Sequence, residues 1–371
     1  MGKGFIILGI LFLVLINSVS AVPFIGNAPN SIADGQSVMI SGNGFGTNAL
    51  DIEWLGGAGG NIEQGTIDVE ISLPAGWTAD TTSVNFQRPI YSDTRAHSRS
   101  QTIKSYFPET SQYGSGYFYN YGSAMSSVYV SWWVYVENLS CLGDCPYNAQ
   151  WKVLRITPGV GNIYGDQPQG WYWSQQLAAP TATFVGQDPA LTNNCLDADL
   201  GGQYDENCYA GVTEVYRQSG VNIVEDGWHR VEVWTEESSP GSQDGTIIVG
   251  IFNSTNAIRY YANYDKNTRT RTDASPQWQY VVFQNYMGNG LNVGDIYQDD
   301  FFMQFGSQAR VELCDTNVWS ARIHCEIQPP TSWLATGDLI TININQGSFN
   351  DGEQAYLFVV DENGDASNGY G

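Results

Sequence analysis

Helical periodicity is nearly absent from these 371 residues, and that absence constrains the fold more than any other feature of the chain. Short runs of Val, Ile, Tyr, Trp and Thr alternate with clusters of Gly, Asn, Asp, Ser and Pro. β-branched and aromatic side chains suit a pleated surface, and the residues between them supply turns. The pattern predicts strands near 37–41, 128–136, 151–157, 228–235, 246–252, 278–284, 300–305, 339–345 and 355–360. Such a chain is expected to be all-β, folded as a sandwich or jelly roll. No repeat of fixed period divides it.

The first residues read differently. Lys3, the apolar run 5–16 and the small-residue site Val19-Ser20-Ala21 predict a secretory signal peptide over 1–21, cleaved before Val22. No later apolar run is long enough to span a membrane. The expectation is a secreted or cell-surface protein without membrane insertion. Loss of Lys3 with the leader leaves 14 basic residues against 38 acidic ones, a net charge of −24. Nucleic acid needs a positive partner surface, so it is excluded as a ligand. A local site for an acidic polysaccharide remains compatible with that charge. Arg259, Lys266, Arg269 and Arg271 cluster in one segment, which reads as a solvated loop.

Six cysteines form three local pairs in sequence: Cys141 with Cys145, Cys195 with Cys208, and Cys314 with Cys325. An even count in an exported chain favours disulfides, although six cysteines permit fifteen pairings. The spacing completes no tetrahedral zinc set, and His97, His229 and His324 are scattered. No cofactor is expected. A structural Ca²⁺ is a lesser expectation, in the acidic loop that offers Asp197, Asp199, Asp205 and Glu206. Residues 361–365, DENGD, read as a hairpin turn with Asn-Gly at its apex.

Two resemblances organise the chain. Residues 31–47, SIADGQSVMISGNGFGT, resemble the opening of an IPT/TIG domain, an immunoglobulin-like fold with a Gly-rich SGxGFG turn. The segment ends before that fold can close. Residues 333–344, WLATGDLITINI, and 347–370, GSFNDGEQAYLFVVDENGDASNGY, resemble its later strands. The implied arrangement is a discontinuous domain of 23–50 and 306–371, with 51–305 inserted. The insert resembles the concanavalin A-like lectin/glucanase superfamily. The segments carrying that resemblance are 96–104 (AHSRSQTIK, as an early strand), 129–135 (YVSWWVY), 151–155, 227–232 (GWHRVE), 239–245 (SPGSQDG) and 296–300 (IYQDD). It implies a jelly-roll sandwich with a groove on one sheet.

Strand alternation assigns residues to that groove. In 228–236, Val231, Val233 and Thr235 suit a core, and Arg230, Glu232, Trp234 and Glu236 share the other face. In 128–136 the outer set is Tyr129, Ser131, Trp133 and Tyr135, and in 278–286 it includes Trp278 and Tyr280. Rings that stack on sugar C–H faces, interspersed with charged groups, predict binding of a polysaccharide or glycan. Trp133, Trp234 and Trp278 would stack, while Arg230, Glu232 and Glu236 would bind hydroxyls or a uronate. Removing Trp234 should then cost binding without stability.

An enzyme is the alternative. Glu232 and Glu236 resemble in outline the ExDxE strand of laminarinase-type glucanases, with Trp234 in place of the central acid. For a polysaccharide lyase the resemblance implies Arg230 as charge neutraliser and Tyr129 or Tyr280 as base. A third reading is a surface or appendage subunit that binds protein through the IPT-like domain. Geometry separates the three: exposed coplanar Trp rings favour binding, convergent carboxyls favour hydrolysis, and a covered groove favours a structural subunit.

Overall fold

The computed structural model describes residues 22–48, 50–56, 73, 75–79, 89–106, 116–137, 140–141, 150–158, 170–176, 181–187, 196–197, 203–204, 213–219, 227–242, 244–253, 256–268, 270, 277–288, 291–292 and 295–371. Among these the protein is β throughout, apart from a single 3-10 turn at Trp319–Ala321.

Two antiparallel sheets form the larger sandwich. One runs in the order Asn256–Thr268, Gly245–Asn253, Trp228–Glu236, Ser127–Val136, Asp295–Phe305, Thr102–Tyr106 and Ile90–Ser92, with Ile52–Leu55 also paired to Asp295–Phe305. The other runs Thr213–Ser219, Thr181–Gln187, Gly170–Gln176, Gln150–Thr157, Trp278–Gly288, Tyr117–Met125 and Trp77–Ala79. Period-two alternation drives their packing. Val128, Val130, Trp132, Val134 and Val136 point from the first sheet into one core with Val231 and Val233. Leu154, Ile156, Val281 and Phe283 meet them from the second. Burying each such side chain contributes about 1.5–3 kcal/mol. Residues 96–101, expected as the start of a strand, instead form a loop before Thr102–Tyr106. Asp299 closes over that loop, accepting N–H bonds from His97 at 3.1 Å and Ser98 at 3.2 Å.

The two ends of the described chain build a smaller sandwich. A four-stranded sheet runs Phe24–Asn27, Ser37–Asn43, Leu339–Asn343 and Pro330–Trp333. A three-stranded sheet runs Cys325–Gln328, Arg310–Cys314 and Tyr356–Val360. Val38, Ile40, Phe45, Val311, Leu313, Ile340, Ile342 and Val359 share its core. The Gly-rich turn is sterically required here. A Cβ on Gly42 would stand 2.0 Å from the Phe24 carbonyl oxygen, and Gly46 has φ +68°. Cys314 and Cys325 lie opposite one another in the three-stranded sheet and form a disulfide. The turn at 361–365 closes with an Asp361 N–H bond to the Asp365 carbonyl and Gly364 at φ +89°. The larger sandwich leaves and rejoins the smaller one at a single place, where the Phe305 N–H donates to the Asp51 carbonyl at 2.9 Å.

Candidate functional site

The strand Trp228–Glu236 alternates as its sequence requires. Val231 and Val233 enter the core, and Arg230, Glu232, Trp234 and Glu236 face away from it beside Tyr129, Ser131, Trp133 and Tyr135 of the neighbouring strand. That outer face is not an open groove. The three-stranded sheet of the small sandwich covers much of it, because Arg310 and Glu312 alternate with the small core's Val311 and Leu313 and so point at the larger sandwich. Tyr129, Trp234, Phe302 and Ile327 form an apolar joint between the two.

The covered part is a buried charge network. Arg230 donates from Nη1 to Glu312 Oε2 at 2.8 Å and to the Cys325 carbonyl at 2.9 Å, and from Nε to Ser131 Oγ at 3.0 Å. Arg310 Nε donates to Glu312 Oε1 at 2.6 Å, and its guanidinium lies 4.2 Å from the Tyr129 ring centre. Burial alone would raise the Glu312 carboxyl, but Arg230 and Arg310 beside it hold it well below the usual carboxylate range. Glu232 accepts from the Tyr129 hydroxyl at 3.1 Å and lies 3.6–3.8 Å from Arg310, Arg230 and Arg322. Burial pushes the Tyr129 phenol above its ordinary value. An aromatic pair sits alongside: His97 stacks on Trp133 at 3.8 Å between ring centres, and Trp133 Nε1 donates to Glu326 Oε2 at 2.9 Å.

Beyond the network the two sandwiches part. They leave a cleft of about 560 Å³ lined by Tyr129, Glu232, Trp234, Glu236, Lys266, Arg310, Trp319, Arg322 and Glu362, among others. At its mouth Lys266 Nζ donates to Glu236 Oε2 at 2.5 Å, and Thr246 Oγ1 donates to the same oxygen at 2.7 Å. Arg322 lies flat on Trp319 and donates to the Trp319 carbonyl at 2.7 Å.

The expected site residues therefore divide. Tyr129, Glu232, Trp234 and Glu236 line the cleft, while Arg230 and Trp133 are buried under the small sandwich and Tyr135 is buried against Trp228 and Tyr297 of the larger one. Trp278 belongs to the core of the larger sandwich, which corrects its outward assignment. The cause is an irregularity in pairing between Trp278 and Tyr280, which puts both Trp278 and Val281 on the core side. Tyr280 lies half-buried on the outer face of the opposite sheet, against Phe118. Glu232 and Glu236 are each held by separate cations. Trp234 is only 8 % exposed, so its removal would cost packing, contrary to the sequence expectation.

Sequence reasoning missed Arg310, Trp319 and Arg322, which come from the far end of the chain. It read Lys266 as loop, and the structure places it in the strand Asn256–Thr268. Cys145, Cys195, Cys208, Asp199, Asp205 and Glu206 lie outside the described residues. Cys141 and Asp197 are described only as backbone, in the strands Ser140–Cys141 and Leu196–Asp197.

No known protein family matches the chain, and no curated protein matches it. Solved structures do. An alginate lyase from Aplysia kurodai is 14 % identical, over 58 % of this chain and 87 % of its own, with a TM-score of 0.42. An endo-β-1,4-glucuronan lyase from the fungus Trichoderma reesei is 11 % identical, over 70 % of this chain and 95 % of its own, at 0.40. An alginate lyase from a Chlorella virus is 13 % identical, over 62 % and 93 %, at 0.35. At these scores the likeness carries no argument about activity.

Proposed function

We propose that this protein binds an extracellular polysaccharide in the cleft between its two sandwiches. The observation that carries this reading is the lining of the cleft. Trp234 and Trp319 border it, and Glu236, Lys266 and Arg322 set polar groups around one concave space. Concavity, apolar surface and a few fixed polar groups are what a sugar ring requires. Deeper on the face, Trp133 serves the joint between the sandwiches through Glu326, as a structural subunit's ring would.

The test is a panel of neutral and acidic polysaccharides, scored for retention of the mature protein and for released product. Lys266 suits the variant because its side chain is 59 % exposed. Lys266→Ala should weaken retention about tenfold, the loss of one charge-assisted hydrogen bond, with the melting temperature nearly unchanged. Equal retention of the variant, or none by the parent on any glycan, would remove the cleft as a glycan site.

A second reading is favoured by one feature of the opposite sheet. Arg155 is buried, alternates with the core residues Leu154 and Ile156 and sits in register with Val282, while Thr157 pairs with Tyr280. Arg155 and Tyr280 are thus diagonal neighbours on one face, about 7–8 Å apart. A cation to neutralise a uronate and a phenol to take its proton at that spacing is lyase chemistry. Release of products absorbing as unsaturated uronates, abolished by Tyr280→Phe, would support it.

A further inference from the structure

His97 and His324 are 227 residues apart in sequence, yet their rings meet at one atom. His97 Nε2 lies 2.8 Å from Glu326 Oε1, and His324 Nε2 lies 2.6 Å from the same oxygen. Ser348 joins them: its Oγ is 3.3 Å from Glu326 Oε1 and 3.1 Å from His324 Nε2, and its backbone N–H is 3.2 Å from that oxygen. One carboxylate oxygen therefore faces four polar atoms with two lone pairs. Hydrogen bonding alone over-subscribes it.

We propose that His97, His324 and Glu326 form a Zn²⁺ site that clamps the small sandwich to the larger one. Two imidazoles and a carboxylate are a donor set for a borderline divalent ion, and zinc accepts it in tetrahedral geometry. Ligands at about 2.0–2.1 Å from a tetrahedral zinc stand about 3.3 Å from one another, so sub-ångström movements admit the ion. Ser348 Oγ faces the fourth position. The ligands are also preoriented from outside. His97 stacks on Trp133, and His324 stacks on Phe349 at 4.2 Å between ring centres. Trp133 Nε1 holds the other oxygen of Glu326. Such supporting contacts fix ring orientation in metal sites. His97 comes from the loop before Thr102–Tyr106 of the larger sandwich, whereas Glu326 lies on the edge strand Cys325–Gln328 of the smaller one. A bound ion would tie the two units through positions 229 residues apart in sequence.

The experiment uses the full mature chain, stripped with a chelator and desalted, then titrated with Zn²⁺ by calorimetry and with Co²⁺ by visible absorbance. The expected result is one tightly held ion per chain, a raised melting temperature, and the intense visible bands of tetrahedral Co²⁺. His97→Gln and His324→Gln should each weaken uptake by at least about a hundredfold, beyond the range for losing a supporting contact. Absence of saturable uptake, or uptake unchanged in both variants, would overturn the site and leave a hydrogen-bonded cluster. His324 is partly exposed, so its variant should fold. If His97→Gln does not fold, the Co²⁺ spectrum of the parent and the His324→Gln titration decide the matter. Polysaccharide retention is scored separately, so either proposal can fail alone.

Discussion

His229 sits on the core side of its strand, donating from Nδ1 to the Gly227 carbonyl at 3.0 Å. Burial lowers its pKa to about 4. The unfolded chain takes up a proton near the ordinary value of about 6.5 that the folded protein refuses until about 4. This group therefore contributes stability fully present above about 6.5 and lost as pH falls through that window, by up to about 3 kcal/mol. Melting temperatures of the parent and His229→Phe, compared between pH 8 and pH 4.5, should converge toward the acid end. Parallel curves would contradict the shift. Glu312 makes a second residue-scale case. Glu312→Gln leaves Arg230 and Arg310 buried without their shared carboxylate, and the expected cost is about 3–5 kcal/mol in urea unfolding. Replacing such a network with apolar residues can be neutral, so the cost measures an orphaned charge and not the worth of the pair.

Among the elements, strand alternation was legible and its consequences were not. Val231 and Val233 turned inward and Arg230, Glu232 and Trp234 outward, as period two requires. What period two cannot say is what lies above an outer face. The cover comes from Arg310–Cys314 and Cys325–Gln328, some eighty residues further on, and no local pattern links the two stretches. Trp278 was misplaced for a related reason, since a pairing irregularity breaks alternation without leaving a mark in the sequence. His97 and His324 converge only because the fold returns. The spacing of Cys314 and Cys325, by contrast, reflected a true hairpin pair. Closing a loop of 11 residues should contribute about 3 kcal/mol. Cys314→Ala/Cys325→Ala should lower stability by that order and loosen the strand bearing Glu326. Hydrogen exchange of the Cys325–Gln328 amides would show it.

For the whole molecule, the outer face of the larger sandwich is part of an interior. A chain of residues 51–305 alone would expose Tyr129, Trp133, Trp234 and Phe302 together with Arg230 and Glu232, stripped of Glu312, Glu326 and Ile327. Large exposed apolar patches promote association. The isolated segment should therefore be less stable and self-associate in light scattering, whereas a chain of residues 22–371 should not. An equally stable monomeric segment would mean that the joint contributes little.

The junction at Asp51 and Phe305 has a mechanical consequence. Ile25 N–H bonds the Asn368 side chain at 2.9 Å, so the two flanks of the small sandwich are laced to each other, and the larger one hangs from a closed neck. Tension applied between residues 22 and 371 would run through the small sandwich alone. The larger sandwich would be a slack side-loop until that lacing tore. A force–extension trace should show the small unit yielding first and the long release only afterwards.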